Sequence, residues 1–328
     1  MKKYLFATFD KDKYKILHDT NVVWWSRPRV LVKHLQNHHT YILKSYSKNT
    51  RELWVELFAS LLWKKINGID VQKASITIIP EEILEELKKQ LPENFTLKPL
   101  VVLIQNAFPK WFETKYWFQI LWLSPTDSTS LEVVYEKITT KYKWYWRDEK
   151  ILQSYFDMLI FDAIIWNMDR HLENWGVHES KQIFLEKKKE NIHQTVEFTT
   201  LFDHWSAWLY ELSDEKIIYY LENPKRYETE YIEGRSYSLL INNQWLSENI
   251  FCLLSNAYQD KRWRKFIKAS INKVLEIHHI DFAEIIFKIP EDKWDYWKRE
   301  TIEYNKNRKE LLLRWCIIRQ NKLKDIIS

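Results

Sequence analysis

Glycine is what this chain is shortest of for its length. It has 3 glycines in 328 residues, where average usage would supply about 23. Left-handed turns and close backbone approaches normally fall to glycine, which has no Cβ to clash. Cysteine is nearly absent too, with only Cys252 and Cys316. Two thiols and no secretory segment lead us to expect a reducing cytoplasm and no disulfide framework. Long apolar runs are missing as well. The stretch from Tyr4 ends at Asp10, too short for a signal peptide, and no run approaches the roughly 18 residues of a membrane helix. Charge of one sign is not concentrated. The net charge of +5 is spread along the chain, which gives no basis for nucleic-acid or membrane-surface binding. Low-complexity linkers and internal repeats are also absent.

What is present is aromatic and apolar. Hydrophobic residues make up 45% and charged residues 29%, ordinary for a globular chain and enough for one large domain or two lobes. Tryptophan is abnormal, at 18 residues. Glycine and tryptophan together come close to the glycine number alone that an average chain would carry.

The N-terminal part alternates short apolar runs with polar turns. Tyr4-Leu5-Phe6-Ala7, Val22-Val23, Val30-Leu31-Val32 and Thr40-Tyr41-Ile42-Leu43 read as strands, and Lys44 ends the last of them. Alone, Lys44 reads as a solvated strand-end lysine. Residues 50–66 read as a helix, with Leu53, Leu57 and Leu61 on a buried face. Its Glu52 and Glu56 are either surface carboxylates or partners of Lys44. Residues 69–79 read as extended, and Pro80 opens a helix to about residue 91. Leu100 to Ile104 and Phe118 to Leu121 read as strands. From about Ser128 the pattern is helical, and residues 151–165 form a helix apolar on most sides. Ile183-Phe184-Leu185 and Thr195-Val196-Glu197-Phe198 read as a strand pair joined by a charged turn. Amphipathic helices follow from residue 246 to the C-terminus.

Chemistry concentrates in Asn167-Met168-Asp169-Arg170-His171-Leu172-Glu173-Asn174-Trp175-Gly176. Asp169 and Asn174 have the D-x-x-x-x-N spacing of a kinase catalytic loop. Alone, the two would read as helix-end caps. Phosphoryl transfer also needs a phosphate-contacting lysine, a carboxylate to hold it and oxygen ligands for Mg²⁺. The chain offers them in kinase order. The turn around Ser26 and Arg27 comes first, then Lys44 with Glu52 (Glu56 as runner-up), Asp169 as base, and Asn174 and Asp203 as metal ligands. Arg170 and His171 are expected to brace the loop. His178, His193 and His204 fit no zinc spacing and read as surface or packing residues.

These segments resemble the HipA family of bacterial serine/threonine kinases. The Asp169 loop is similar to that family's G-N-x-D-R-H-x-x-N-x-G, and Leu201-Phe202-Asp203-His204-Trp205-Ser206 to its L-x-D-x-G-S. Trp24-Trp25-Ser26-Arg27-Pro28-Arg29 is similar to its G-G-A-R-P-K phosphate loop. Tyr41-Ile42-Leu43-Lys44 and the following helix, with Glu52, Ala59 and Trp63, match its lysine strand and helix. The resemblance covers nearly the whole chain and is strongest to short, toxin–antitoxin or effector-like members. It implies an α+β, bilobal protein-kinase-like fold, with a small β-rich N-lobe over residues 1–124 and a larger helical C-lobe over 125–328. It implies ATP and Mg²⁺ as cofactors, a protein Ser/Thr hydroxyl as acceptor, and an antitoxin partner. A catalytically impaired interaction module and a lipid or small-molecule kinase are the alternatives.

The departures from the family form a pattern. Trp24, Trp25, Trp63, Trp166 and Trp205 stand where the family has glycine, and Trp175 lies beside Gly176 in a similar turn. With the glycine deficit, this leads us to expect UGA codons that the source cell reads as glycine but that were translated as tryptophan. Literal tryptophans in the phosphate loop would block backbone approach to ATP and give a weak or inactive kinase.

Overall fold

A computed structural model describes residues 6–16, 29–37, 40–45, 51–66, 73–89, 98, 100–105, 113–124, 127–143, 148–167, 170–172, 174–186, 189–198, 212–234, 237, 239–240, 247–289 and 305–328. Six described strands form the N-terminal sheet: β1 (Phe6–Thr8), β2 (Tyr14–Ile16), β3 (Arg29–His34), β4 (Thr40–Ser45), β5 (Ala74–Ile78) and β6 (Leu100–Gln105). Their order is β1-β5-β6-β4-β3-β2, antiparallel except for the parallel β1–β5 pair. The strand expected at Val22-Val23 lies outside the described residues.

Strand β4 is central and covered on both faces. Side chains alternate along a strand, so Ile42 and Lys44 share one face and Leu43 and Ser45 the other. Ile42 joins the core around helix α1 (Arg51–Trp63). Leu43 packs with Val30, Val32, Val101 and Leu103 and with Leu84 and Leu87 of helix α2 (Glu81–Lys89). The sheet is therefore sandwiched between the two helices.

The sequence predicts one buried face for α1, but residues 52–60 are buried on every side. The reason is a second contact layer: α1 carries Trp63 against Phe161 of the helical part, ring centroids 4.2 Å apart, while its other side lies on the sheet.

Residues 118–121, expected as strand, are a short helix α3 (Trp117–Leu121). Gln119 explains it, because its side-chain oxygen accepts the Tyr116 N–H at 2.9 Å and supplies a first-turn cap. The preceding strand β7 (Glu113–Tyr116) pairs away from the N-terminal sheet. It joins β8 (Gly176–Glu186), which pairs with β9 (Lys189–Phe198) in a second, antiparallel sheet.

Helix α4 (Leu131–Tyr142) leads to α5 (Asp148–Ile165), whose 13 buried residues make it the axis of the helical part. Against it pack α8 (Ile250–Gln259), α9 (Lys261–Leu275) and α11 (Lys306–Ile327), while α6 (Asp214–Glu222) and α10 (His279–Lys288) pack on α11 and α7 (Pro224–Tyr227) on α6. Ser130, Ser213, Asn249, Asp260 and Asn305 cap five of these helices, each side chain accepting a first-turn N–H that would otherwise be unpaired. No described helix is long and apolar enough to cross a membrane.

Candidate active site

Lys44 is not solvated. It is 2% exposed on the α1 face of β4, opposite Arg29 on β3 and Val102 on β6. Its ammonium pairs with the carboxylate of Glu56 on α1. The runner-up of the sequence reading is thus the partner the geometry provides. Glu52, the first choice, is fully buried one turn earlier on the same helix. Burying an ammonium is tolerable only with a matched charge, so the helix supplies what the strand needs.

The second cluster begins where α5 ends. Trp166 has φ 58° and turns the chain, and Asn167 N–H then donates back to the Asp162 carbonyl at 3.0 Å. The Asp162 carboxylate is the centre of the loop that follows. Its Oδ2 accepts from Arg170 Nε at 2.9 Å and from the Tyr237 hydroxyl at 2.7 Å. Its Oδ1 accepts from Arg170 Nη2 at 2.7 Å and Asn167 Nδ2 at 3.2 Å. All four residues are fully buried. The fork between guanidinium and carboxylate is bidentate, the strongest geometry for such a pair.

Arg170 also reaches forward. Its Nη1 donates to the Asn174 carbonyl at 3.4 Å, and Asn174 N–H donates to the His171 carbonyl at 2.9 Å. Arg170 therefore braces the loop, and Asn174 is held in a buried turn just before β8. Burial and the negative charge of Asp162 push the hydroxyls of Tyr237 and Tyr155 well above the usual tyrosine range, so both stay protonated and Tyr237 remains a donor.

Gly176 follows at once. A Cβ there would sit 2.3 Å from the Lys115 carbonyl oxygen, so only glycine lets β8 approach β7 at the Tyr116–Gly176 pair. Next to it, His178 is buried, and burial lowers its pKa to about 4. No group of three or more His, Cys, Asp or Glu side chains that could hold a metal ion occurs among the described residues.

Asp169, Asp203, Ser26 and Arg27 lie outside the described residues. Of the predicted site, the structure places Lys44, Glu52, Glu56 and Asn174. Sequence reasoning assigned no role to Asp162 or Tyr237. Asp162 had a visible signal, being a carboxylate in the last turn of an apolar helix. Tyr237, 75 residues further on, had none.

Taken together, a mixed sheet with a buried lysine–glutamate pair and a helical part with a braced loop before a β-hairpin define an α+β, protein-kinase-like architecture of HipA type. Among solved structures, the chain is similar to the Helicobacter pylori proinflammatory kinase CtkA, with a TM-score of 0.71 at 17% identity over 99% of this chain and 97% of that one. It is also similar to Shewanella oneidensis HipA, solved with HipB and operator DNA, with a TM-score of 0.52 at 11% identity over 98% of this chain and 75% of that one. No protein-family model and no curated protein sequence matches the chain.

Proposed function

We propose that the protein is a kinase that uses ATP and Mg²⁺ to phosphorylate a serine or threonine hydroxyl of a protein. The observation that carries this reading is the buried Lys44–Glu56 pair on β4 and α1. A core lysine is costly to keep. Phosphoryl transfer requires one, held by a helix carboxylate, in the sheet that receives the nucleotide. The remaining residues fit the cofactors. Amide and carboxylate oxygens suit Mg²⁺, and Asn174 with Asp203 would hold it. Bound metal supplies charge neutralisation on the phosphates.

The chain's own residues do the rest. Lys44 meets phosphate oxygens while Glu56 fixes its direction, with Glu52 behind it. Backbone N–H groups around Ser26 and Arg27 cradle phosphate. Asp169 orients the acceptor hydroxyl and takes its proton, and Asn174 stands on the loop that Arg170 braces. In this reading residues 1–124 form the nucleotide lobe and 125–328 the helical lobe. The cytoplasm is the site of action, and an antitoxin, like the HipB that accompanies the Shewanella protein, is a partner to test.

The test is autophosphorylation and transfer to a generic protein acceptor, with Asp169→Ala as control. Loss of about a hundredfold or more is expected in the variant. Equal turnover in both proteins would defeat the mechanism. An interaction module without turnover is the second reading. The Trp24-Trp25 pair favours it if those tryptophans are literal, and it predicts nucleotide binding without transfer.

A further inference from the structure

The buried hub at the end of α5 does more than hold a helix terminus. Asp162 receives Arg170, Asn167 and Tyr237 on its two oxygens, and Arg170 passes the constraint on to the Asn174 carbonyl. The Tyr237 hydroxyl is the member that comes from outside the loop. We propose that Asp162 and Tyr237 are positioning residues that set the placement of Asn174, and through it the strength of divalent-cation binding at the nucleotide site. The inference rests on the kinase reading.

The discriminating variant is Tyr237→Phe, which removes one hydrogen bond and keeps the ring. Calorimetry with Mg²⁺ and a non-hydrolysable ATP analogue, thermal melting without nucleotide, and the Mg²⁺ dependence of turnover are compared with wild type. The variant is expected to melt within a few degrees of wild type, bind the Mg²⁺–analogue about tenfold more weakly, and need correspondingly more Mg²⁺ for half-maximal turnover. Arg170→Lys keeps the charge but loses the fork, and is expected to shift the same Mg²⁺ dependence should the tyrosine variant fold poorly. Unchanged Mg²⁺ dependence in folded variants, with wild type binding normally, overturns the positioning role and leaves the kinase reading standing. Absence of Mg²⁺–nucleotide binding in wild type removes the kinase reading and the inference with it.

A second inference stands on backbone geometry alone. The non-glycine residues with positive φ among the described residues are Trp122 (φ 61°) and Trp166 (φ 58°). Both occupy the same position of the same motif. After α3, Leu123 N–H donates to the Phe118 carbonyl at 3.0 Å, and after α5, Asn167 N–H donates to the Asp162 carbonyl at 3.0 Å. This six-to-one closure ends a helix through one left-handed residue, usually glycine. Tryptophan is among the bulkiest residues that position could carry, and a bulky side chain there is a genuine outlier.

Trp122 gains little in return, while Trp166 is buried among Tyr231, Phe251 and Arg319. Trp122 is 89% exposed. The Trp166 indole N–H is nevertheless buried without a hydrogen-bond partner among the described residues. We infer that residues 122 and 166 are glycine in the protein its source cell makes, and that their tryptophans come from the codon table used for translation. Trp122 lies in no kinase motif, so the inference does not depend on the proposed function.

The test reads the two codons and the masses of the peptides spanning residues 122 and 166 in protein isolated from the source cell. UGA codons and glycine masses are expected. UGG codons or tryptophan masses overturn the inference. In a recombinant chain, Trp122→Gly is expected to raise Tm by about 2–4 °C, and an unchanged or lower Tm counts against it.

Discussion

A lysine with 2% of its surface exposed would normally give up its proton or leave the core. Lys44 keeps its place because Glu56 meets it there, and removing one partner of such a pair strands the other. Glu56→Gln should therefore destabilise the fold by about 3–5 kcal/mol and lower kcat/KM for ATP about a hundredfold. Steady-state kinetics beside Glu52→Gln check the assignment, since a larger loss in the Glu52 variant would return the pairing role to that residue. Lys44 also shows what sequence can and cannot reveal at the scale of one residue. Its type and its place at the end of an apolar strand were legible. Its burial was not, because that depends on α1 covering the strand. The choice between Glu52 and Glu56 was equally closed, as four residues separate them on one helix and only the docking angle of α1 decides which carboxylate faces β4.

At the scale of elements, legibility followed the strength of the local pattern. Helix α5 was readable because nearly every position from residue 151 onward is apolar, and β8 with β9 because apolar runs flank a charged turn. Strand β2, only Tyr14–Ile16, is too short to carry a period. Phe118 to Leu121 misled because four residues with three apolar side chains fit a strand or a buried helix equally well. The deciding hydrogen bond, from Tyr116 to Gln119, is a local cap, and a glutamine three residues after a tyrosine is too weak a cap signal to choose between the two. The β7–β8 pairing was not readable at all, since it joins segments about sixty residues apart. Glycine at residue 176 makes that pairing possible, so Gly176→Ala should cost about 2 kcal/mol or more, with the Cβ driven against the Lys115 carbonyl. Chemical denaturation compared with a control alanine change at exposed Lys225 checks it. A variant as stable as wild type would mean that β7 can move aside without loss.

On the scale of the whole molecule, the second sheet meets the helical part through a titratable seam. Glu179 on β8 takes salt bridges from Lys115 of β7 at 2.8 Å and Lys141 of α4 at 3.4 Å, and the Tyr142 hydroxyl donates to it at 3.0 Å. Burial pushes its carboxyl up, but the Lys115 hydrogen bond and the Lys141 charge outweigh this and hold it below its ordinary value of 4.5. Its neighbour His178 is lowered from 6.5 to about 4 by burial. Both shifts act in one direction. Below pH 6.5 the unfolded chain binds a proton at His178 that the folded chain refuses, so stability falls from there to about pH 4. Below about 4.5 the unfolded chain also protonates Glu179 more readily than the folded one, and the loss steepens. At 1.36 kcal/mol per unit, the histidine alone accounts for up to about 3 kcal/mol. Unfolding free energies from urea titrations at pH 7.5, 6 and 5 should decline in wild type and decline less in His178→Gln, which has nothing to titrate at that position. Identical slopes in the two proteins would show that the acid sensitivity arises elsewhere.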